Sequence, residues 1–83
     1  MNGKTATIYI SDNSPSCEKL INQMEKWGIS YRIKNITKNN DIKKDLQNQG
    51  IYGTPATFIK GNSEPILGVQ LSKLKRELNV HDS

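Results

Sequence analysis

The chain has 83 residues, of which 34% are hydrophobic and 24% charged, and its formal net charge is +4. This length suits one small globular domain, and no stretch approaches the roughly 18 consecutive apolar residues of a membrane span. The chain holds one cysteine, Cys17, and one histidine, His81. This excludes an intramolecular disulfide and argues against a structural zinc site, which needs a fuller set of Cys and His ligands.

The first half of the chain predicts a strand, a helix and a second strand. Residues 5–10 are mostly β-branched or aromatic, which favours a buried strand. A helix is predicted over Pro15–Trp27, because the apolar residues of this stretch fall on one face at a 3.6-residue period. Ser14 is its predicted N-cap, and Gly28 ends it. Residues 29–34 alternate apolar and polar side chains, as a half-buried strand does.

The second half predicts a helix, a hairpin and a last helix. The helix is predicted over about Asp41–Gln49, after which the bend Gly53-Thr54-Pro55 leads into a strand over 56–60. A turn joins that strand to another over 65–69, and a last helix begins at about Leu71. The order β-α-β-α-β-β-α predicts an α/β domain with a mixed four-stranded sheet flanked by three helices. Strands separated by helices are expected to pair in parallel through right-handed crossovers, and the hairpin adds antiparallel strands.

Three stretches of the chain carry the candidate function. Residues 9–17 form a strand end, a short polar loop and a helix start that reads Ser-Pro-Ser-Cys. Residues 53–59 form a Gly-x-Pro bend before a strand, and residues 66–74 join a glycine-containing strand end to the last helix. At this spacing the three together resemble the thioredoxin fold, and at this length its glutaredoxin branch with the small ribonucleotide-reductase-linked relatives. The resemblance covers about residues 5–79 and implies a single glutaredoxin-like domain over 1–83.

The resemblance also implies roles for individual residues. Ser14 stands where the family has the attacking cysteine of a Cys-x-x-Cys pair, and Cys17 matches the cysteine that resolves the mixed disulfide. The proline matched by Pro55 is in cis beside the active site, and the residue matched by Thr54 offers backbone hydrogen bonds to a bound peptide or glutathione. The remaining residues of the expected substrate-binding set are Pro15, Ser16, Gly68 and Val69. Gly68 is further expected to allow a close backbone approach.

The chemistry at position 14 follows from elementary properties of sulfur and oxygen. The attacking species in disulfide exchange is a thiolate, and a free cysteine with a pKa of about 8.5 is mostly protonated at neutral pH. A helix N-terminus favours the thiolate, because it presents unpaired amide groups and a partial positive charge. A serine hydroxyl at the same place forms no disulfide. The dithiol cycle is therefore expected not to run in this chain.

Ser14 has three interpretations that the sequence leaves open. It is an engineered substitution that stops the chemistry or traps a partner, the natural residue of a chain that has lost dithiol activity, or only a helix N-cap. We favour the first, because Cys→Ser is nearly isosteric and the other landmarks suit redox work. For Cys17, a buried and inert core thiol is the alternative to a resolving role.

These observations lead to two main hypotheses. The first is a thiol–disulfide oxidoreductase of glutaredoxin type, with a disulfide-containing protein or glutathione as its partner. The second is a redox-silent module that binds extended peptides beside Pro55. A weaker third hypothesis is a monothiol enzyme in which Cys17 itself attacks.

The electron donor of the first hypothesis stays open between glutathione and thioredoxin reductase. Residues 67–70 read Leu-Gly-Val-Gln, and so lack the Gly-Gly and acidic residues that glutaredoxins commonly carry there. The aromatic, Ser-Gly-containing signature of the reductase-linked relatives is absent as well.

Composition predicts few other partners. The lysines are spread along the chain, and the five aromatic residues fall mostly in strand or core-like positions. A nucleic-acid interface would gather the cations on one face with aromatic residues between them. We therefore expect a cytoplasmic monomer with no bound cofactor or metal, except for glutathione as a co-substrate, and with no nucleic-acid or membrane partner.

Overall fold

The computed structural model describes residues 5–80, so His81 lies outside the described residues. Within that range the elements are β1 (Ala6–Ile10), α1 (Pro15–Trp27), β2 (Tyr31–Asn35), α2 (Asn40–Asn48), β3 (Ala56–Ile59), β4 (Ile66–Leu67) and α3 (Leu71–Glu77). No helix in this range is long and apolar enough to cross a membrane. The predicted order of elements is confirmed, and the predicted bounds of α1 are correct.

The four strands form one mixed sheet in the order β2-β1-β3-β4. β1 pairs with β2 in parallel and with β3 antiparallel, and β3 pairs with β4 antiparallel. With its three helices, this sheet confirms the predicted thioredoxin-like fold.

One expectation about strand direction is wrong. β2 and β3 are separated by α2, yet they are not neighbours, and β3 runs antiparallel to β1. The register sets Tyr9 opposite Ala56, so β3 begins at the end of the sheet where β1 finishes. α2 and the segment 49–55 return the chain to the end of the sheet that it left after β2. Although α2 separates β2 from β3, these two strands therefore do not form a parallel pair.

Several predicted ends of elements also needed correction. The strand predicted over 29–34 begins at Tyr31, because the backbone N–H of Ile29 still donates to the Met24 carbonyl in the last turn of α1. α2 begins one residue earlier than predicted, since the Asn39 side chain accepts hydrogen bonds from the amides of Asp41 and Ile42. The strand predicted over 65–69 is confined to Ile66–Leu67, and the one predicted over 56–60 ends one residue earlier.

The sheet separates two hydrophobic clusters. α1 and α3 contribute side chains to a cluster on one face, with β1, β3 and β4: Ala6, Ile8, Leu20, Met24, Ile59, Ile66, Leu74 and Leu78. α2 contributes to the cluster on the other face: Tyr9, Leu46, Ile51 and Ala56. Since neighbouring residues of a strand point to opposite faces, Ile8 and Tyr9 belong to different clusters. Packing on both faces thus holds β1 in place, and the end of this strand is a fixed support for the loop 11–14.

Candidate functional site

Two loops meet at one end of the sheet. The loop 11–14 comes after β1, and the turn 53–55 precedes β3. Because these strands are antiparallel neighbours with Tyr9 opposite Ala56, the end of one lies beside the start of the other. A hydrogen bond of 2.8 Å between the side-chain hydroxyls of Ser11 and Thr54 joins the two loops. The predicted site residues on β1–α1 and on the bend before β3 therefore belong to one region.

The start of α1 holds the pair that the sequence singled out. Ser14 has extended backbone angles, φ −115° and ψ 107°, and its Oγ accepts a hydrogen bond of 3.3 Å from the Cys17 amide. Its carbonyl accepts a second, of 3.1 Å, from the Glu18 amide. Pro15 and Ser16 are exposed in the first turn, whereas Cys17 is 2% exposed. The hydroxyl of Ser14 thus lies at the open end of the helix, and the thiol lies beneath it.

The turn before β3 holds Thr54 and Pro55, and the chain after β4 supplies Gly68 and Val69. The Thr54–Pro55 peptide bond is cis, and the Pro55 side chain is fully buried. The Pro55 carbonyl accepts a hydrogen bond of 2.8 Å from the Gly68 amide, which brings the end of β4 against this turn. Val69 comes next and is half-buried. Pro55 and Gly68 are therefore in direct contact through their backbones.

The reason for glycine at position 68 differs from the expected one. A Cβ built on Gly68 would meet no atom within 4 Å, so the close contact of its amide with Pro55 does not by itself require glycine. Its φ is +74°, in the left-handed region that side chains rarely adopt. Glycine here allows the chain to turn out of β4 after its bond to Pro55.

A cleft of about 440 Å³ opens beside the joined loops. Three walls form it: the loop after β1, the β2–α2 connection with the start of α2, and the turn before β3. The lining residues are Ser11, Ile36, Thr37, Asn40, Lys43, Tyr52, Gly53 and Thr54. Of the predicted site residues Thr54 is the one among them. Lys43 is the charged group among these residues and supplies the cleft with one cation.

A ring of hydrogen bonds fastens the first wall to the second. The Asp12 amide donates to the Thr37 hydroxyl over 3.0 Å, and the Thr37 amide donates to the Asn35 side-chain oxygen over 2.9 Å. The Asn35 side-chain amide closes the ring with a bond of 2.8 Å to the Asp12 carboxylate. The ring and the Ser11–Thr54 bond together fix all three walls relative to one another.

Sequence reasoning missed seven of the eight residues that line this cleft, and three of them are instructive. Ser11 has a sequence signal, since a short polar side chain directly after a buried strand lies at a sheet end. Tyr52 precedes the bend and is 76% exposed, an unusual exposure for an aromatic ring. Lys43 gave no signal, because it reads as one of several cations on a solvated helix. Within residues 5–80, no group of three or more His, Cys, Asp or Glu side chains is placed to hold a metal ion.

Comparison with known proteins gives a family and a fold. The glutaredoxin family model matches residues 6–64. No curated protein matches the chain. Among solved structures, the thioredoxin-like protein BC3987 aligns with a TM-score of 0.79 at 23% identity, over 88% of this chain and 99% of its own.

Two further solved structures are similar in fold. The glutaredoxin-like protein NrdH-redoxin from Escherichia coli aligns with a TM-score of 0.78 at 19% identity, over 95% of this chain and 97% of its own. The glutaredoxin from Archaeoglobus fulgidus aligns with a TM-score of 0.71 at 22% identity, over 92% of this chain and 86% of its own.

Proposed function

Because this chain belongs to the glutaredoxin family, we propose that it is built on a thiol–disulfide oxidoreductase site in which Ser14 occupies the nucleophile position. Membership of the family confirms the resemblance drawn from the sequence. In this proposal Cys17 is the resolving thiol, and the cleft beside Thr54 binds the disulfide-bearing partner. The chain with serine at position 14 binds this partner but does not run the dithiol cycle.

One observation carries the proposal: the hydrogen bond from the Cys17 amide to the Ser14 side-chain oxygen. The γ atom of residue 14 therefore lies where the free amides of the first turn of α1 point. A sulfur in that place would receive the same N–H and the positive end of the helix dipole, and both stabilise a thiolate. The geometry that lowers the pKa of an attacking thiol is present, while the thiol is not.

With cysteine at position 14, the proposed cycle has two steps. The thiolate at position 14 attacks one sulfur of the substrate disulfide, and the other sulfur leaves as a thiolate that takes up a proton. The Cys17 thiolate then attacks the mixed disulfide, which frees the second substrate thiol and closes a disulfide between positions 14 and 17. The substrate gains two electrons, and two molecules of glutathione or a thioredoxin reductase return them to the protein.

The burial of Cys17 supports the proposal that this chain, with serine at position 14, does not attack disulfides. At 2% exposure, its thiol is shielded from a bulky disulfide. The same burial counts against a monothiol enzyme in which Cys17 attacks first, because an attacking thiolate needs access to the substrate sulfur.

The proposed binding half of the site supports a peptide-like partner. The Thr54 backbone forms no backbone hydrogen bond among the described residues, so it could pair with an extended segment in the manner of strand addition, whereas the Pro55 carbonyl is already bonded to Gly68. Lys43, across the cleft, supplies a cation for a carboxylate of that segment. Glutathione and a protein disulfide both offer an extended backbone with carboxylate groups. Pro15, Ser16 and Val69 would contact the part of the partner nearest the sulfurs.

The test is disulfide-reductase turnover of the chain with Ser14 beside its Ser14→Cys variant, with glutathione and thioredoxin reductase supplied separately. We expect turnover in the variant alone, and the donor that sustains it identifies the electron source. Ser16→Cys is the matched control, since it adds one thiol two residues away on the exposed first turn and away from the N-cap. Equal turnover in the two variants, or none in a folded Ser14→Cys variant, contradicts the proposal.

A redox-silent binding module is the second candidate function. It is favoured by the cleft, whose walls are joined by the Ser11–Thr54 bond and by the Asp12–Asn35–Thr37 ring, none of which uses sulfur. Partners that remain bound after the thiols are blocked would support it. Partners released by reduction would count against it.

A further inference from the structure

The outer strand of the sheet, β2, has one edge without a partner strand among the described residues, because the order is β2-β1-β3-β4. Ser30 and Ile36 use their backbone groups toward β1, accepting from Ala6 and donating to Ile10 respectively. In a parallel ladder alternate residues face the same neighbour, so the odd-numbered residues from Tyr31 to Asn35 direct their N–H and C=O groups to the free edge. Such an edge is a template for an added strand.

The side chains of β2 divide by charge between the two faces of the sheet. Arg32 and Lys34 lie opposite Thr7 and Tyr9 in the parallel register, so they share the face that α2 partly covers. Arg32 is exposed, and the Lys34 ammonium lies 5.5 Å from the centre of the Tyr9 ring. Ile33, between them, points to the opposite face and is 41% exposed at the edge. Along β2 the side chains therefore alternate between the two faces of the sheet, with the cations Arg32 and Lys34 on one face and the apolar Ile33 on the other.

The surface beside Arg32 is concave and positively charged. A cavity of about 480 Å³ opens there, with Thr7 and Phe58 among its lining residues, and Arg32 and Lys60 bring two cations to it. No acidic residue lines it, and within residues 5–80 neither cation forms an ion pair. The positive charge on the Arg32 face of the sheet is therefore not paired within the described residues, whereas the Glu25 and Asp12 carboxylates contact the side chains of Tyr31 and Asn35 on the opposite face of β2.

We propose that the free edge of β2 binds an extended acidic segment of a partner protein as an added strand. The segment would alternate acidic and apolar residues. Its backbone would pair with the outward groups of Tyr31, Ile33 and Asn35, and its carboxylates would lie beside Arg32 and Lys34. The guanidinium of Arg32 can take a carboxylate through two parallel hydrogen bonds. An apolar residue would cover Ile33.

Charge decides between this partner and a second copy of the chain. Antiparallel pairing of two β2 strands about Ile33 would set Arg32 of one copy opposite Lys34 of the other, twice, and like charges opposite each other are destabilising. Cations on an edge strand are a known device against self-association. The same two cations attract carboxylates, so this edge rejects its own copy and accepts an acidic strand.

The site lies outside the proposed redox function, and its test uses no redox measurement. Two capped decapeptides are titrated into the ¹⁵N-labelled native chain at 0.15 M salt: one alternates glutamate with valine, and the other alternates lysine with valine. We expect the acidic peptide to shift the amide signals of residues 31–35 and to slow their exchange with solvent. The basic peptide should leave these signals unchanged.

Variants of the edge and of a control surface complete the test. Arg32→Glu with Lys34→Glu should weaken binding of the acidic peptide by about tenfold or more and strengthen binding of the basic one. Lys44→Glu with Lys73→Glu makes the same change in net charge at exposed sites elsewhere and should keep the native affinity. Arg32→Gln with Lys34→Gln, which keeps the polar character of both positions, replaces the first variant if that one does not fold.

Three outcomes overturn the proposal. They are shifts spread over all basic surfaces, equal weakening by the edge and control variants, and shifts at residues 31–35 that appear without peptide as the protein concentration rises. The last would show that a second copy, and not an acidic strand, occupies the edge.

Discussion

The candidate site has two halves, the start of α1 and the cleft beside Thr54. The first lacks one sulfur of a dithiol pair, and the second needs none. The start of α1 holds Ser14 and Cys17, the proposed nucleophile position and resolving thiol, and supplies one sulfur. The cleft beside Thr54 has joined walls and a cation, and it depends on no sulfur. The Ser11–Thr54 hydrogen bond connects them. In the proposed function the attacking and resolving positions lie at the start of α1, whereas the cleft lies outside that helix, so a change at position 14 should remove the chemistry and leave the cleft.

The largest expected effect separates the roles of positions 14 and 17. The double variant Ser14→Cys with Cys17→Ser should accumulate a mixed disulfide with a substrate, because the attacking sulfur is present and the resolving one is absent. Mass spectrometry of the intact protein should show one covalent adduct per chain. The native chain under the same conditions should show none. An adduct on the native chain would mean that the buried Cys17 attacks, and the division between the two halves would fail.

A smaller effect is expected in the binding half. Lys43→Glu should weaken binding of glutathione to the native chain by about three- to tenfold, because an exposed attraction becomes a repulsion. Calorimetry or amide shifts at Thr54 would measure it. Lys44→Glu is the control on the same helix, since this exposed residue is not among those lining the cleft. Equal loss in the two variants would show that the net charge, and not the cleft, binds glutathione.

A third change tests the helix cap at the start of α1. It should lower the stability of the protein without changing the cleft. Ser14→Ala removes the side-chain oxygen that caps α1 and should lower the free energy of unfolding by about 1 kcal/mol. Urea denaturation would measure this loss. Ser16→Ala, in the same turn but exposed, should change stability little. Glutathione binding in the cleft should be the same in Ser14→Ala as in the chain with Ser14, and a loss of binding in that variant would show that the cleft depends on the cap.

The smallest expected effect lies outside both halves. Tyr31 donates a hydrogen bond to the Glu25 carboxylate. This hydrogen bond, desolvation of the Tyr31 hydroxyl and the negative charge of Glu25 raise the pKa of Tyr31 above its ordinary value of 10.0. This contribution to stability is fully present below pH 10.0 and is lost as the pH rises through the raised value.

Glu25→Gln tests this contribution. It should bring the pKa of Tyr31 back toward 10.0 and reduce the loss of stability in alkali. Ultraviolet titration of the variant beside Tyr31→Phe would isolate this group from the other tyrosines. Glutathione binding should not change. A change would mean that the residues that affect glutathione binding extend beyond the cleft at the end of the sheet.

The chemical half could be predicted from the sequence because its contacts are local. Ser14 and Cys17 are three residues apart, and the geometry of a helix start brings the oxygen of one to the amide of the other. The binding half could be predicted only where a local signal marked it, as at Thr54. Lys43 and Tyr52 are distant in sequence from Ser11, and no periodicity says that they share a cleft with it.

By itself the sequence determined the order of the elements, the bounds of α1 and the pair at its start. These features depend on side-chain periodicity and on caps, which act over a few residues. Only the tertiary structure decided that β3 runs antiparallel to β1, that Gly68 bonds to Pro55, and that β2 leaves an edge with two cations. The physical reason is that strand partners are chosen by which apolar faces can be buried together, and that choice depends on residues far apart in the chain.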